Sequence, residues 1–187
     1  MPSTMLSVDG VKVPVDVAGP DKGSVVVVLG AAHQSLSAYD AVCQRLHTAS
    51  LRTVVVGPDP RLTAETVIGV LDALEVKWAL LVGDRVGGEL AWELAATRLD
   101  RFIGLVVIDR GHPRVADMSG VIRDEHCPPV EMNTTALVST PASRAVARAS
   151  QRYVYGDYRL VELLGRRNAH ESTAQLAAEI VLRTSIW

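Results

Sequence analysis

The sequence predicts an α/β protein in which helices cover both faces of a doubly wound, mostly parallel sheet. Three observations carry this. Val25 to Leu29, Thr53 to Val56 and Phe102 to Ile108 are short, continuously apolar and largely β-branched runs, the mark of strands buried on both faces. Stretches with helical spacing alternate with them, which implies right-handed crossovers. Between the second and third runs, Trp78 to Ala95 (WALLVGDRVGGELAWELA) passes from an apolar strand through a glycine-flanked corner into a helix.

In chain order, residues 5–18 alternate around Asp9-Gly10, as an antiparallel hairpin at a sheet edge would, where Pro14 is tolerated. Val25 to Leu29 is a central strand, closed by Gly30-Ala31-Ala32. From Ser37 the pattern is helical, with Ser37 and Asp40 spaced as a capping pair and Tyr39, Val42, Cys43 and Leu46 on one stripe. Thr53 to Val56 is closed by Gly57-Pro58-Asp59-Pro60, and Thr63 can cap the helix carrying Val67, Leu71 and Leu74. After the strand at Phe102, residues 110–129 read as a loop. Val130 to Asn133 is expected to be a short strand, Pro141 to Gln151 a helix with proline in its first turn, and Arg159 to Leu164 the last strand. A final helix is expected to be capped by Ser172 with Gln175. Trp78, Trp92 and Phe102 read as core, and Trp187 as exposed or anchoring the last helix or a partner.

Composition narrows the function classes. A chain of 187 residues, 48% hydrophobic, is expected to fold as one domain. Nineteen basic residues against 21 acidic ones leave no net field for nucleic acid or an anionic membrane. Only Lys12, Lys22 and Lys77 are lysines, which fits the codon bias of a GC-rich bacterial genome. Cys43 and Cys127 have no metal-ligand or C-x-x-C spacing, consistent with a reducing cytoplasm. The N-terminus lacks the features of a signal peptide, and no apolar run approaches the ~18 residues that span a bilayer. No cofactor or metal is expected.

The corner Gly83-Asp84-Arg85-Val86-Gly87 has the form G-x-Nu-x-G, which holds a nucleophile in a strained turn above a parallel sheet. Arg85 stands at the nucleophile position, and a guanidinium that stays protonated cannot attack a carbonyl.

Five segments in the same order resemble the α/β-hydrolase fold family, in its esterase, lactonase and haloalkane-dehalogenase-like branch: VVVVLGAA at the first central strand, GPDPRL at the turn after the second, VLDALEV before the elbow strand, LLVGDRVGGELAWELA at the elbow, and LLGRRNAHES before the last helix. The resemblance implies a triad whose positions are all replaced. Arg85 stands for the nucleophile. Within Gly165 to Glu171, Arg166 stands for the general-base histidine. Thr134 and Thr135 fall where the acid follows its strand, with Asp109 as an alternative acid lacking a histidine to orient. The backbone N–H groups of Ala32 and Val86 correspond to the oxyanion hole. About twenty residues separate Asp109 from the next strand, which is loop length, so no cap domain is expected.

The resemblance therefore implies a catalytically degenerate module that binds a small molecule or a partner, not a hydrolase of the family mechanism. Two readings of Arg85 stay open. Arg85 and Arg166 could converge at a helix N-terminus and hold a small carboxylate or phosphate, with Ala31, Ala32, Asp84, Val86 and Asp109 around it. Alternatively Arg85 pairs with Asp84, Asp109 or Glu89 and closes the site. A weak esterase or thioesterase with a non-family nucleophile would need Cys127, His112 or His170. His33 sits just past the oxyanion-hole strand, and His126 beside Cys127 is only a sequence neighbour. His170 reads as a capping or surface residue. A structural homodimer covering the lidless sheet is a third class.

Overall fold

The computed structural model describes residues 3–163 and 169–185. The chain opens with the expected hairpin, β1 (Thr4–Val8) and β2 (Val11–Ala18), turning through Asp9 and Gly10, both at positive φ. Thereafter strands and helices alternate: β3 (Val25–Leu29), α1 (Asp40–Thr48), β4 (Arg52–Val56), α2 (Ala64–Ala73), β5 (Ala79–Asp84), α3 (Val86–Thr97), β6 (Phe102–Ile108), β7 (Thr134–Val138), α4 (Pro141–Ser150), β8 (Tyr158–Glu162) and α5 (Ala169–Thr184). The sheet order is β1-β2-β4-β3-β5-β6-β7-β8. The two edge pairings at β2 are antiparallel and all the others parallel.

The central strands are apolar throughout because each successive side chain meets a helix layer. Val26, Val28, Leu80, Val82 and Val106 pack with α1 and α5, whereas Val27, Leu29, Leu81, Leu105 and Val107 pack on the side of α2, α3 and α4. Trp92 of α3 and Phe102 lie in that second core, as expected. Thr63 accepts from the Thr66 N–H at the start of α2. Thr140 and Ser143 form a reciprocal capping box around Pro141 at the start of α4. Among the described residues no helix is long and apolar enough to cross a membrane.

Several expectations need correcting. The strand expected at Val130 to Asn133 begins four residues later, at Thr134. Val130 makes only an isolated bridge to Val154, and its backbone bonds with Tyr153 and Tyr155. Thr134 and Thr135 can sit inside a buried strand because Arg183 of α5 bonds to the Thr135 hydroxyl at 2.6 Å and the Thr134 carbonyl at 3.0 Å. Arg183 is itself held by Asp157 at 2.9 Å. Ser37 does not cap α1. The chain enters that helix through a 3-10 turn, Leu36–Tyr39, and the Ser37 hydroxyl bonds to that of Ser35. Ser172 is not an N-cap either, since α5 starts at Ala169, and Gln175 instead donates to the Glu162 carbonyl. Trp78 is 65% exposed, standing just ahead of β5 where the β5–β6 register slips past Ile103. Arg166 and Trp187, and the side chain of His170, lie outside the described residues.

The elbow glycines are required by contact distance. A Cβ on Gly83 would stand 2.6 Å from both the Ala91 Cβ and the Gly88 Cα, and one on Gly87 would stand 2.1 Å from the Leu29 carbonyl oxygen. The start of α3 is thus pressed against β5 and the end of β3 with no room for a side chain. Gly87→Ala is expected to lower the urea unfolding free energy by about 2–3 kcal/mol, because the obstruction is backbone that cannot rotate away. Equilibrium denaturation followed by far-UV circular dichroism measures it.

Candidate functional site

At the end of β5 the backbone turns through Arg85 with φ 50 and ψ −106, a conformation that a side-chain-bearing residue adopts only where its surroundings impose it. Here they do. The Arg85 N–H donates to the Ile108 carbonyl at 2.9 Å, the Gly88 N–H donates back to the Arg85 carbonyl at 2.9 Å, and α3 is seated on its glycines. The sharp strand-to-helix corner expected from G-x-Nu-x-G is present, with a guanidinium at its apex.

Arg85 turns back onto the adjacent carboxylate. Its Nε lies 3.1 Å from Asp84 Oδ1 and its Nη2 3.4 Å from Oδ2. Of the three partners considered for it, Asp84 is the one in ion-pair contact. Glu89 is engaged by Arg110 and Arg123. Asp109, itself at φ 51, accepts from the Ser139 N–H at 2.8 Å and the Ser139 hydroxyl at 2.5 Å. The guanidinium is held further into its protonated range, first by the hydrogen bond to Asp84.

Tyr39 completes this cluster. The 3-10 turn after β3 delivers its hydroxyl 2.9 Å from Asp84 Oδ2, to which it donates, and the Ala31 N–H donates to the same hydroxyl oxygen at 2.9 Å. Burial, and then the Asp84 charge, push the Tyr39 hydroxyl well above its ordinary range, so it stays protonated. A relay therefore runs Ala31 N–H, Tyr39 O–H, Asp84 carboxylate, Arg85 guanidinium. The amide of Ala31, one residue before the oxyanion-hole position at Ala32, is bonded within the chain.

The expected site residues thus divide. Ala31, Asp84 and Arg85 meet through Tyr39, and Asp109 meets Ser139 at the end of β7. Thr135 faces Arg183 from within β7 and not the elbow; the residue following that strand is Ser139. Ala32 and Val86 instead line a cleft of about 770 Å³ between the start of α3, the Gly57–Leu62 turn and the 110–128 loop. His33 lines it too and is exposed. Tyr39 and Ser139 were missed by sequence reasoning. The signal for Tyr39 was a hydroxyl on an otherwise apolar stripe, eight residues past Ala31.

His112 and Cys127 also border the cleft, but neither is available for chemistry. His112 is fully buried between Trp92 and Tyr153. Its Nδ1 accepts from the Arg114 N–H at 3.2 Å, which leaves Nε2 as the donor to the Pro128 carbonyl at 2.9 Å. Burial pulls its pKa down from 6.5. Cys127 is buried with its thiol pushed up to about 11, so it is protonated at neutral pH. Among the described residues no group of three His, Cys, Asp or Glu could hold a metal ion.

The neutral His112 makes stability depend on pH. Its folded pKa lies below the unfolded value, so the unfolded chain binds the extra proton. Its contribution is present above about pH 6.5 and is lost as pH falls below that. Urea midpoints taken from pH 7.5 to pH 5 are expected to fall more steeply for wild type than for His112→Asn. Parallel curves would show that His112 carries none of the dependence.

No protein-family model and no curated protein sequence matches the chain. Solved structures do, at low identity. Epoxide hydrolase A from Mycobacterium thermoresistibile is 11% identical with a TM-score of 0.79, and the match covers 97% of both chains. A hydrolase from Pseudomonas aeruginosa is 16% identical with a TM-score of 0.78 over 98% of both chains. A loop variant of the haloalkane dehalogenase DbeA from Bradyrhizobium elkanii is 12% identical with a TM-score of 0.74, over 98% of this chain and 97% of the other. At this identity the likeness speaks for architecture, and the strand order, the elbow and the two helix layers agree with it: the fold of this chain is the α/β-hydrolase fold.

Proposed function

We propose that this chain is a non-hydrolytic binding module on an α/β-hydrolase fold, with the cleft beside α3 as its ligand site. The observation that carries this reading is the elbow itself, where Arg85 occupies the nucleophile position and is paired to the buried Asp84. Acyl transfer needs a nucleophile, a base within hydrogen-bond reach and donors for the developing oxyanion. A protonated guanidinium supplies no nucleophile. Of the substitute residues considered, His112 has both ring nitrogens engaged and Cys127 is a buried, protonated thiol.

A small carboxylate or phosphate bound at Arg85 is the second reading. What favours it is that the Arg85 side chain is 55% exposed although its inner edge is bonded to Asp84, leaving donors free to face solvent.

Two assays separate these readings from hydrolysis. With p-nitrophenyl acetate and butyrate, wild type is expected to show no turnover above buffer. Turnover that vanishes on replacing Cys127 with Ala would overturn the binding-module reading in favour of a weak esterase. A rise in melting temperature with millimolar phosphate or acetate that is lost in Arg85→Gln would favour the anion at Arg85.

A further inference from the structure

We propose that the cleft takes a hydrophobic organic cation, a small amine or quaternary ammonium, with Glu93 and Asp124 as its counter-charges. This rests on the reading that the cleft is the ligand site, and it follows from which charges there are already neutralised. Among the described residues, five carboxylates line the cleft (Asp59, Glu89, Glu93, Asp117 and Asp124) against the two arginines Arg110 and Arg123. Both arginines are taken. Arg110 lies 2.8 Å from Glu89, and Arg123 lies 3.0 Å from Glu89 and 3.4 Å from Asp117. Asp59 is held by Arg61 at 2.8 Å, outside the cleft lining. Glu93 and Asp124 have no ion-pair partner among the described residues. Among the described residues, Asp124 accepts a backbone bond on one oxygen, from the His126 N–H.

Both carboxylates line the cleft, and Asp124 is among the charges that act on Glu93. Burial first, then the neighbouring charges of Glu65 and Asp124, raise the Glu93 carboxyl above its usual range. A cation beside Glu93 would offset those negative charges, while an anion would meet two carboxylates without an ion-pair partner and arginines already occupied. The rest of the lining decides what kind of cation. Leu62, Leu90, Val115 and Val146 contribute apolar wall, and among the described residues no group of three potential ligands stands close enough to chelate a metal. A volume of about 770 Å³ is that of a site for a small organic molecule. An alkyl or aryl body against α3 with its ammonium toward Glu93 matches both features.

The experiment uses three probes of similar size, hexyltrimethylammonium, hexan-1-ol and hexanoate, titrated into the whole protein at low ionic strength. Binding is followed by calorimetry and by amide chemical shifts of Leu90 and Val115. The ammonium is expected to bind roughly tenfold more tightly than the alcohol, and hexanoate most weakly. Glu93→Gln and Asp124→Asn, both at exposed positions, are expected to weaken the ammonium several-fold and leave the alcohol unchanged. Equal binding of ammonium and alcohol, or ammonium affinity unaltered in the double variant, would overturn the cation assignment while leaving the cleft as the ligand site. If none of the three probes shifts Leu90 or Val115 up to tens of millimolar, the cleft itself falls as a ligand site, and this assignment with it.

Discussion

Asp84 ends the central strand β5 with a side chain only 8% exposed, at the point where the chain must turn sharply into α3. A carboxylate so placed is costly unless its lone pairs are occupied, by several kcal/mol for an unpaired buried charge. It is occupied twice, by the Tyr39 hydroxyl and by the guanidinium of the next residue. The top of the sheet is arranged around that requirement. Tyr39 reaches across from the turn after β3, drawing the Ala31 amide with it, and Arg85 folds back instead of projecting to where a reacting group would stand. One buried charge thereby ties the ends of two neighbouring strands to the start of a helix.

The corner that presents Arg85 is itself under strain. A non-glycine residue at φ 50 costs on the order of 1–3 kcal/mol, and such geometry persists only where packing and hydrogen bonds over-determine it. Gly83 and Gly87 allow the close approach of α3, and the backbone bond from Arg85 to Ile108 pins the apex to β6. These are properties of the frame and do not depend on what the apex side chain does. The frame can therefore be kept intact while an arginine replaces a nucleophile, and the space that remains open lies beside it, along α3, where Glu93 and Leu90 look outward.

Much of the fold was legible because the strands buried on both faces write themselves as continuous apolar runs: β3 and β6 fall on Val25–Leu29 and Phe102–Ile108, and the glycine-flanked corner marks the elbow. β7 was displaced by four residues because its first two positions are threonines. The Thr135 hydroxyl and the Thr134 carbonyl are satisfied by Arg183, nearly fifty residues later, which no local pattern records. Trp78 shows the converse failure, since residue type alone does not say where a helix layer ends. At the site, the sequence placed Arg85, Asp84 and Ala31 together but not the tyrosine that joins them. The charge balance of the cleft was likewise hidden, because which carboxylates stay unpaired depends on contacts between α3 and a loop thirty residues away.

The central claim is that the Asp84 carboxylate holds Tyr39 energetically and not merely by proximity. A double-mutant cycle on unfolding free energy, with Tyr39→Phe, Asp84→Asn and the pair combined, measures this directly. A coupling of about 1.5–3 kcal/mol is expected for a buried hydrogen bond to a charged group. Single-variant effects that simply add, to within about 0.5 kcal/mol, would contradict the account.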